Sequence, residues 1–258
     1  MKSKLTITIA SILSVLVLVG VGFAAWVITN PSVQAEKGGT ITAETVSDKS
    51  YTLTATIANE AIVFGAPAEM KNDKAWLTAE AETQKEDLTA TLTLTLTYKD
   101  WRVIPANFSV TMVTKKGEAT DDTFASLRDG KYSTLTGTLA NQNFIANPKI
   151  TYRASGAATD TTDNVIMNGE NAVQIAKTAF TGYDEKAAGT ATLAITINFG
   201  WGDYFKVGEN NVNPYTFYNE KKYEEFGAEA NTVLTAISQL KDVNYVVTIS
   251  GVTNVSGK

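Results

Sequence analysis

The residues that could carry chemistry are few, and two absences decide most of the question. The chain of 258 residues contains no histidine and no cysteine. Without histidine there is no His-Glu-x-x-His zinc site. The same count removes Ser-His-Asp and Cys-His hydrolases. Ser126 and Ser238 could serve a Ser–Lys dyad, but no motif marks either one. Glu80 and Glu82 alternate with Ala79 and Ala81, so on a strand both carboxylates face one side. Paired carboxylates run glycoside hydrolysis, yet charges on one strand face are also the ordinary solvated surface. Asp203, Glu209, Asn210 and Asn211 offer the oxygen ligands that Ca²⁺ takes, at a spacing that fits no loop motif. Asp121-Asp122 and Asp160 to Asp163 read as turns. No catalytic residues, cofactor or metal are expected.

Aromatic residues are the better lead. Trp201, Tyr204, Phe205, Tyr215, Phe217, Tyr218 and Tyr223 crowd one short stretch. Aromatic faces stack on sugar rings, which makes Trp201, Tyr204, Tyr215 and Tyr218 candidate ligand-stacking residues. The competing reading is that they fill the junction between a sheet and a helix, where their large area stabilises most.

The start of the chain has the form of a secretory signal. Met1-Lys2-Ser3-Lys4 is a basic head, and Leu5 to Ala25 carries no charge, is mostly apolar and ends in small residues at a cleavage point. Gly22-Phe23-Ala24 and Val33-Gln34-Ala35 both satisfy a cleavage pattern. The apolar run also has the length of a bilayer anchor if it is not cleaved. The expectation is export, to the surface or surrounding matrix of a bacterium. An exported chain without cysteine must rely on a packed core rather than disulfides. Net charge is −5, and loss of Lys2 and Lys4 with the signal makes it −7. An acidic chain without basic clusters argues against nucleic acid as a partner.

Positioning elements follow from periodicity. Alternation of threonine with apolar residues predicts strands over 51–57, 88–98, 107–113, 191–199 and 244–250, with a weaker one over 149–153. Further strands are expected over 75–83, 132–139 and 172–180, and loops over 120–123 and 159–164. From Pro214 to Leu240 the spacing turns helical: Phe226, Ala230, Val233, Leu234, Ile237 and Leu240 share one face. The fold expected is mainly β, a jelly-roll-like β-sandwich with one amphipathic helix near the C-terminus. The organisation expected is a signal over 1–24, an N-terminal arm over 25–45 and the sandwich over 46–258.

Leu18-Val19-Gly20-Val21-Gly22-Phe23-Ala24-Ala25-Trp26, followed by Lys37-Gly38-Gly39-Thr40-Ile41-Thr42-Ala43, resembles the N-terminus of the TasA/camelysin family. Phe199-Gly200-Trp201-Gly202-Asp203-Tyr204-Phe205 and Asn213-Pro214-Tyr215-Thr216-Phe217-Tyr218-Asn219, before a helix and a last strand, are similar to further members. The resemblance implies cleavage near Ala24 or Ala25 by a dedicated signal peptidase. It also implies self-assembly into biofilm-matrix fibres by donor-strand exchange. The arm of one subunit would complete a sheet of the next, giving a head-to-tail homopolymer. Trp26, Val27, Ile28, Thr40 and Ile41 are then the assembly residues, with other matrix proteins or polysaccharide as further partners. The alternative expectation is a monomeric surface adhesin or carbohydrate-binding module that uses the aromatic cluster.

Overall fold

A computed structural model describes residues 24–27, 39–48, 51–58, 61–64, 87–169, 171–220 and 223–252. The signal over 1–23, Ile28, the Glu80/Glu82 pair and the strand expected over 75–83 lie outside the described residues. The strands run in chain order β1 (Ala24–Val27), β2 (Gly39–Asp48), β3 (Tyr51–Ile57), β4 (Ala61–Ile62), β5 (Thr89–Tyr98), β6 (Asn107–Lys116), β7 (Ala119–Thr120), β8 (Ile145–Tyr152), β9 (Thr161–Asn164), β10 (Val173–Ala176), β11 (Gly189–Trp201), β12 (Lys206–Val207), β13 (Asn210–Asn211) and β14 (Asn244–Val252). The helices are α1 (Thr123–Arg128), α2 (Pro214–Glu220) and α3 (Tyr223–Ser238).

Alternation becomes burial wherever it is regular. On β5, Ala90, Leu92, Leu94, Leu96 and Tyr98 are buried while the intervening threonines face out. On β11, Ala191, Leu193, Ile195, Ile197, Phe199 and Trp201 do the same. A fully buried leucine contributes about 1.5–3 kcal/mol, so a one-residue slip of either strand would expose its entire apolar set. The pairing is in register: Leu53 lies beside Leu96, and Leu94 beside Leu193.

The hydrogen-bonded order is β10-β6-β14-β2-β3-β5-β11-β8-β9. Strand β2 turns the corner. Residues Thr40 to Thr45 run parallel to β14, and Ser47 and Asp48 pair with β3. The strands on either side of this corner fold face to face. Tyr51 of β3 meets Phe108 of β6 at a ring separation of 6.3 Å, and Phe199 of β11 meets Tyr245 of β14 at 5.0 Å. The chain is therefore mainly β, a sandwich with its helix near the C-terminus. The parallel β2–β14 contact is a departure from an all-antiparallel jelly roll.

The outer face of β3, β5, β11, β8 and β9 is a threonine lattice. Thr52, Thr97 and Thr190 form one row across three strands, and Thr54, Thr95 and Thr192 the next. Farther along, Thr151 of β8 and Thr162 of β9 place their hydroxyls 3.0 Å apart.

Four expectations need correction. Residues 132–139 form no strand: a turn leads to a 3-10 helix at Gly137–Leu139, where Gly137 has a φ of 62°. Over 172–180 the strand stops at Ala176 and a 3-10 turn follows. The aspartate-rich stretch over 159–164 holds edge strand β9, whose residues are all exposed and so carry no alternation. The loop over 120–123 ends in α1, started by Asp121 Oδ1 accepting from the Thr123 N–H at 2.9 Å and anchored by buried Phe124 and Leu127.

The two layers predict unequal costs on one strand. Leu94→Ala is expected to cost about 2–5 kcal/mol by urea unfolding. Thr93→Ala, on the outer face, is expected to cost less than about 1 kcal/mol. A cost for Leu94→Ala as small as that for Thr93→Ala would contradict the register of β5.

Candidate functional site

Three places could carry function: the N-terminal strands, the aromatic cluster and a groove along α3. The N-terminal segment is built first from its backbone. Strand β2 has two occupied edges. One pairs with β14 and β3. The other receives β1 antiparallel, with Ala24 beside Ser47, Ala25 beside Val46, Trp26 beside Thr45 and Val27 beside Glu44. Strand β4 covers the start of that edge, with Thr40 beside Ala61. Thr40 also lies beside Asn244, and Ile41, only 1% exposed, beside Tyr245.

The expected arm therefore divides. Residues 39–48 form one continuous strand of the chain's own sandwich, so the boundary expected between 45 and 46 falls inside β2. Thr40 and Ile41 belong to that strand. Trp26 and Val27 sit on β1, the strand at the rim. Residues 28–38, with Ile28 among them, lie outside the described residues.

Four rings of the aromatic cluster are core, and the side chains of Tyr215 and Tyr223 lie outside what the structure describes. Trp201 is 6% exposed, and Phe205, Phe217 and Tyr218 are buried. Trp201 packs edge-on to Phe64 at 5.3 Å and to Phe205 at 5.5 Å. Phe205 and Phe217 are 5.4 Å apart, and Phe217 and Tyr218 5.1 Å. Such edge-to-face contacts use the ring faces that a sugar would need. The stacking role expected for Trp201 and Tyr218 is corrected accordingly: these rings join the end of β11 to α2 and α3. Tyr204 is half-buried beside them, its hydroxyl donating to Glu229 of α3. Tyr215 lies on α2, which starts with Asn213 Oδ1 accepting from the Thr216 N–H at 2.9 Å and with Pro214 in the first turn.

Three of the candidate Ca²⁺ ligands, Asp203, Glu209 and Asn211, are engaged with neighbouring side chains or backbone. Asn211 donates its side-chain amide to the Trp201 carbonyl at 3.0 Å and to Asp203 Oδ1 at 3.2 Å. Lys206 and Glu209 pair at 3.8 Å across the β12–β13 hairpin. Among the described residues no three acidic side chains gather where a cation could be held. Ser238 donates to the Thr235 carbonyl at 2.7 Å.

A groove of about 520 Å³ runs between α3 and the turn at Tyr132. Tyr132, Thr134, Asn231, Thr232, Thr235 and Gln239 line it. The lining bears one aromatic ring, amides and hydroxyls, and no formal charge. Asn231 Oδ1 is buried without a hydrogen-bond partner. Burial, helped by nearby Asp121, raises the Tyr132 phenol above its ordinary pKa. Sequence reasoning missed this groove, although Thr232 and Thr235 of α3 and Gln239, in the 3-10 turn that continues it, stand at helical spacing and could have signalled it.

No helix among the described residues is long and apolar enough to cross a membrane. No protein-family model, curated protein or solved structure matches the chain.

Two buried phenols set an alkaline limit. Burial raises the Tyr245 pKa, and Asp121 adds to it. Burial, then the neighbouring Tyr204, raises that of Tyr218. The unfolded chain releases these protons near pH 10. The folded chain keeps them to higher pH, so this stabilisation is complete below about pH 10 and is lost as pH rises above it. Each phenol contributes a slope of about 1.4 kcal/mol per pH unit in that window. Tyr245→Phe is expected to make the alkaline decline of unfolding free energy shallower. An unchanged slope would mean that Tyr245 ionises within the fold.

Proposed function

We propose that this chain is a secreted structural subunit that polymerises head to tail through its N-terminal strand into extracellular fibres of the biofilm-matrix type. The observation that carries the reading is the position of β1. Among the described residues it occupies the outer edge of β2 through four residues, at the rim of the sandwich. Residues 28–38 separate it from β2, and a segment of that length spans up to about 40 Å when extended. The same strand can therefore seek the equivalent edge of a neighbour. An element that pairs with its own subunit can pair in the same way with an identical one, and repeated head to tail such a contact gives a filament when the rotation between subunits closes no ring.

Backbone pairing supplies register, and Trp26 and Val27 supply the apolar area that makes the exchange favourable. The N-terminal resemblance adds the context: removal of the signal by a dedicated peptidase, location in the matrix or at the cell surface of a bacterium, and other matrix proteins or polysaccharide as neighbours. No catalytic step and no nucleic-acid contact enters this reading.

A second reading, a monomeric adhesin or carbohydrate-binding module, is favoured by the groove rather than by the aromatic cluster. Its neutral lining, with the Tyr132 ring and the unpartnered Asn231 Oδ1, fits an uncharged saccharide.

The fibre reading is tested by truncation. Mature protein lacking residues 24–38 keeps β2 and its core residue Ile41. It is expected to stay folded, with an unchanged circular dichroism spectrum, and to form no filaments in negative-stain electron microscopy. Filaments from this truncated chain would contradict strand exchange. A glycan array then addresses the second reading: binding lost in Asn231→Leu, in a protein that never forms filaments, would favour the adhesin.

A further inference from the structure

We infer that the threonine lattice on the outer face of β3, β5, β11, β8 and β9 is a self-association surface, on which a second copy of this chain packs face to face. Charge is the first argument. Solvated surfaces of small domains carry about 25–35% charged residues. Of the exposed side chains on these strands, Lys149 on β8 and Asp163 on β9 are charged, and the register of Asp163 beside buried Ile150 puts it on the side of the sheet away from the threonines. The molecule as a whole has a net charge of −5. Two copies repel each other over most of their surface, and this face is where they approach without that cost.

Geometry is the second argument. Threonine is stiff about χ1, so each position presents a methyl and a hydroxyl in a fixed arrangement. The hydroxyls find partners within the face. Thr97 and Thr190 stand 3.4 Å apart, and Thr54 donates to the Thr95 carbonyl at 3.5 Å. At these positions the hydroxyls are engaged within the face, and sheet faces of this kind stack about 10 Å apart.

Area is the third argument. Five strands about 4.8 Å apart span about 19 Å across their four gaps, and an average length of about eight residues rising about 3.4 Å each makes the face roughly 550 Å². Two copies would bury roughly 1,100 Å², at the lower edge of what a specific interface needs. A single pairing is therefore weak. Repeated along a filament it becomes strong through effective concentration, and would bundle filaments side by side. That last consequence rests on the proposed strand exchange, whereas the pairing itself does not.

The test is sedimentation velocity of the mature protein over a range of concentrations, with electron microscopy of the same samples. Face-to-face pairing is isologous and stops at two, whereas strand exchange gives an open series of oligomers. Failure of one is thus distinguishable from failure of the other. Thr93→Glu is expected to raise the dimer dissociation constant at least tenfold and to leave any filaments single. Thr93→Ser is expected to keep the pairing. Thr54→Glu repeats the charge test from another strand should Thr93→Glu alter the melting temperature. A wild-type protein that never pairs, or glutamate variants that pair as well as the wild type, would overturn the inference. Retention of the monomer on an insoluble neutral polysaccharide, abolished by Thr93→Glu, would also overturn it and assign the face to a glycan.

Discussion

The structure depends on the pairing of β2. This one strand joins the two layers of the sandwich, parallel to β14 on one side of the corner and antiparallel to β3 on the other. Ile41 extends it into the core beside Tyr245, whose ring packs on Phe199 of the opposite layer. The same strand offers its outer edge to β1. A strand with unpaired backbone groups on one edge is a template for another chain. The protein therefore places its least committed element against the strand that holds its layers together. Assembly through β1 would leave that strand, and the core behind it, unchanged.

The rest of the interior explains why chemistry is sparse. Phe64, Phe124, Phe199, Trp201 and Tyr245 form one chain of edge-to-face contacts between the layers, and Phe205, Phe217 and Tyr218 extend it to the helices. Aromatic area of this size holds together a chain that has no cysteine from which to make disulfides. Thr114, fully buried, is held in the same spirit. Asn168, at a φ of 56°, accepts from the Thr114 N–H at 2.7 Å and donates to its hydroxyl at 2.7 Å. Buried groups are thus spent on holding the fold, and the surfaces left for partners are an edge, a groove and a flat face.

Much of this was legible in the sequence, and the misses have physical reasons. Strand β3 begins and ends where alternation places it, because each second residue from Tyr51 to Ala55 enters the core. The late helix was legible for the same reason: Ala230, Val233, Leu234 and Ile237 fall on its buried face. Strand β8 was cut short in the reading because Pro148 interrupts it. Pro148 lacks an N–H, and the register with β11 shifts there, Asn147 and Pro148 of β8 standing opposite the single residue Phe199. Strand β9 has no buried residue and so no pattern to read. The aromatic residues near Trp201 were visible as a cluster, but composition does not say which faces are covered. The parallel contact of β2 with β14 was not legible, because periodicity marks a strand without naming its partner and these residues lie about 200 positions apart in sequence. The threonine lattice was half visible: one strand shows the alternation, and only the register aligns the rows.

The account turns on whether β1 pairs with the β2 of its own chain or of a neighbour. Because the chain has no cysteine, a pair introduced as Ala25→Cys and Val46→Cys, which lie side by side across β1 and β2, reports this directly. The mature double variant would be assembled, oxidised and run on a non-reducing gel. Strand exchange predicts a ladder of covalent multimers that collapses to monomer on reduction. Crosslinked monomer alone, from a sample in which filaments are present, would contradict it.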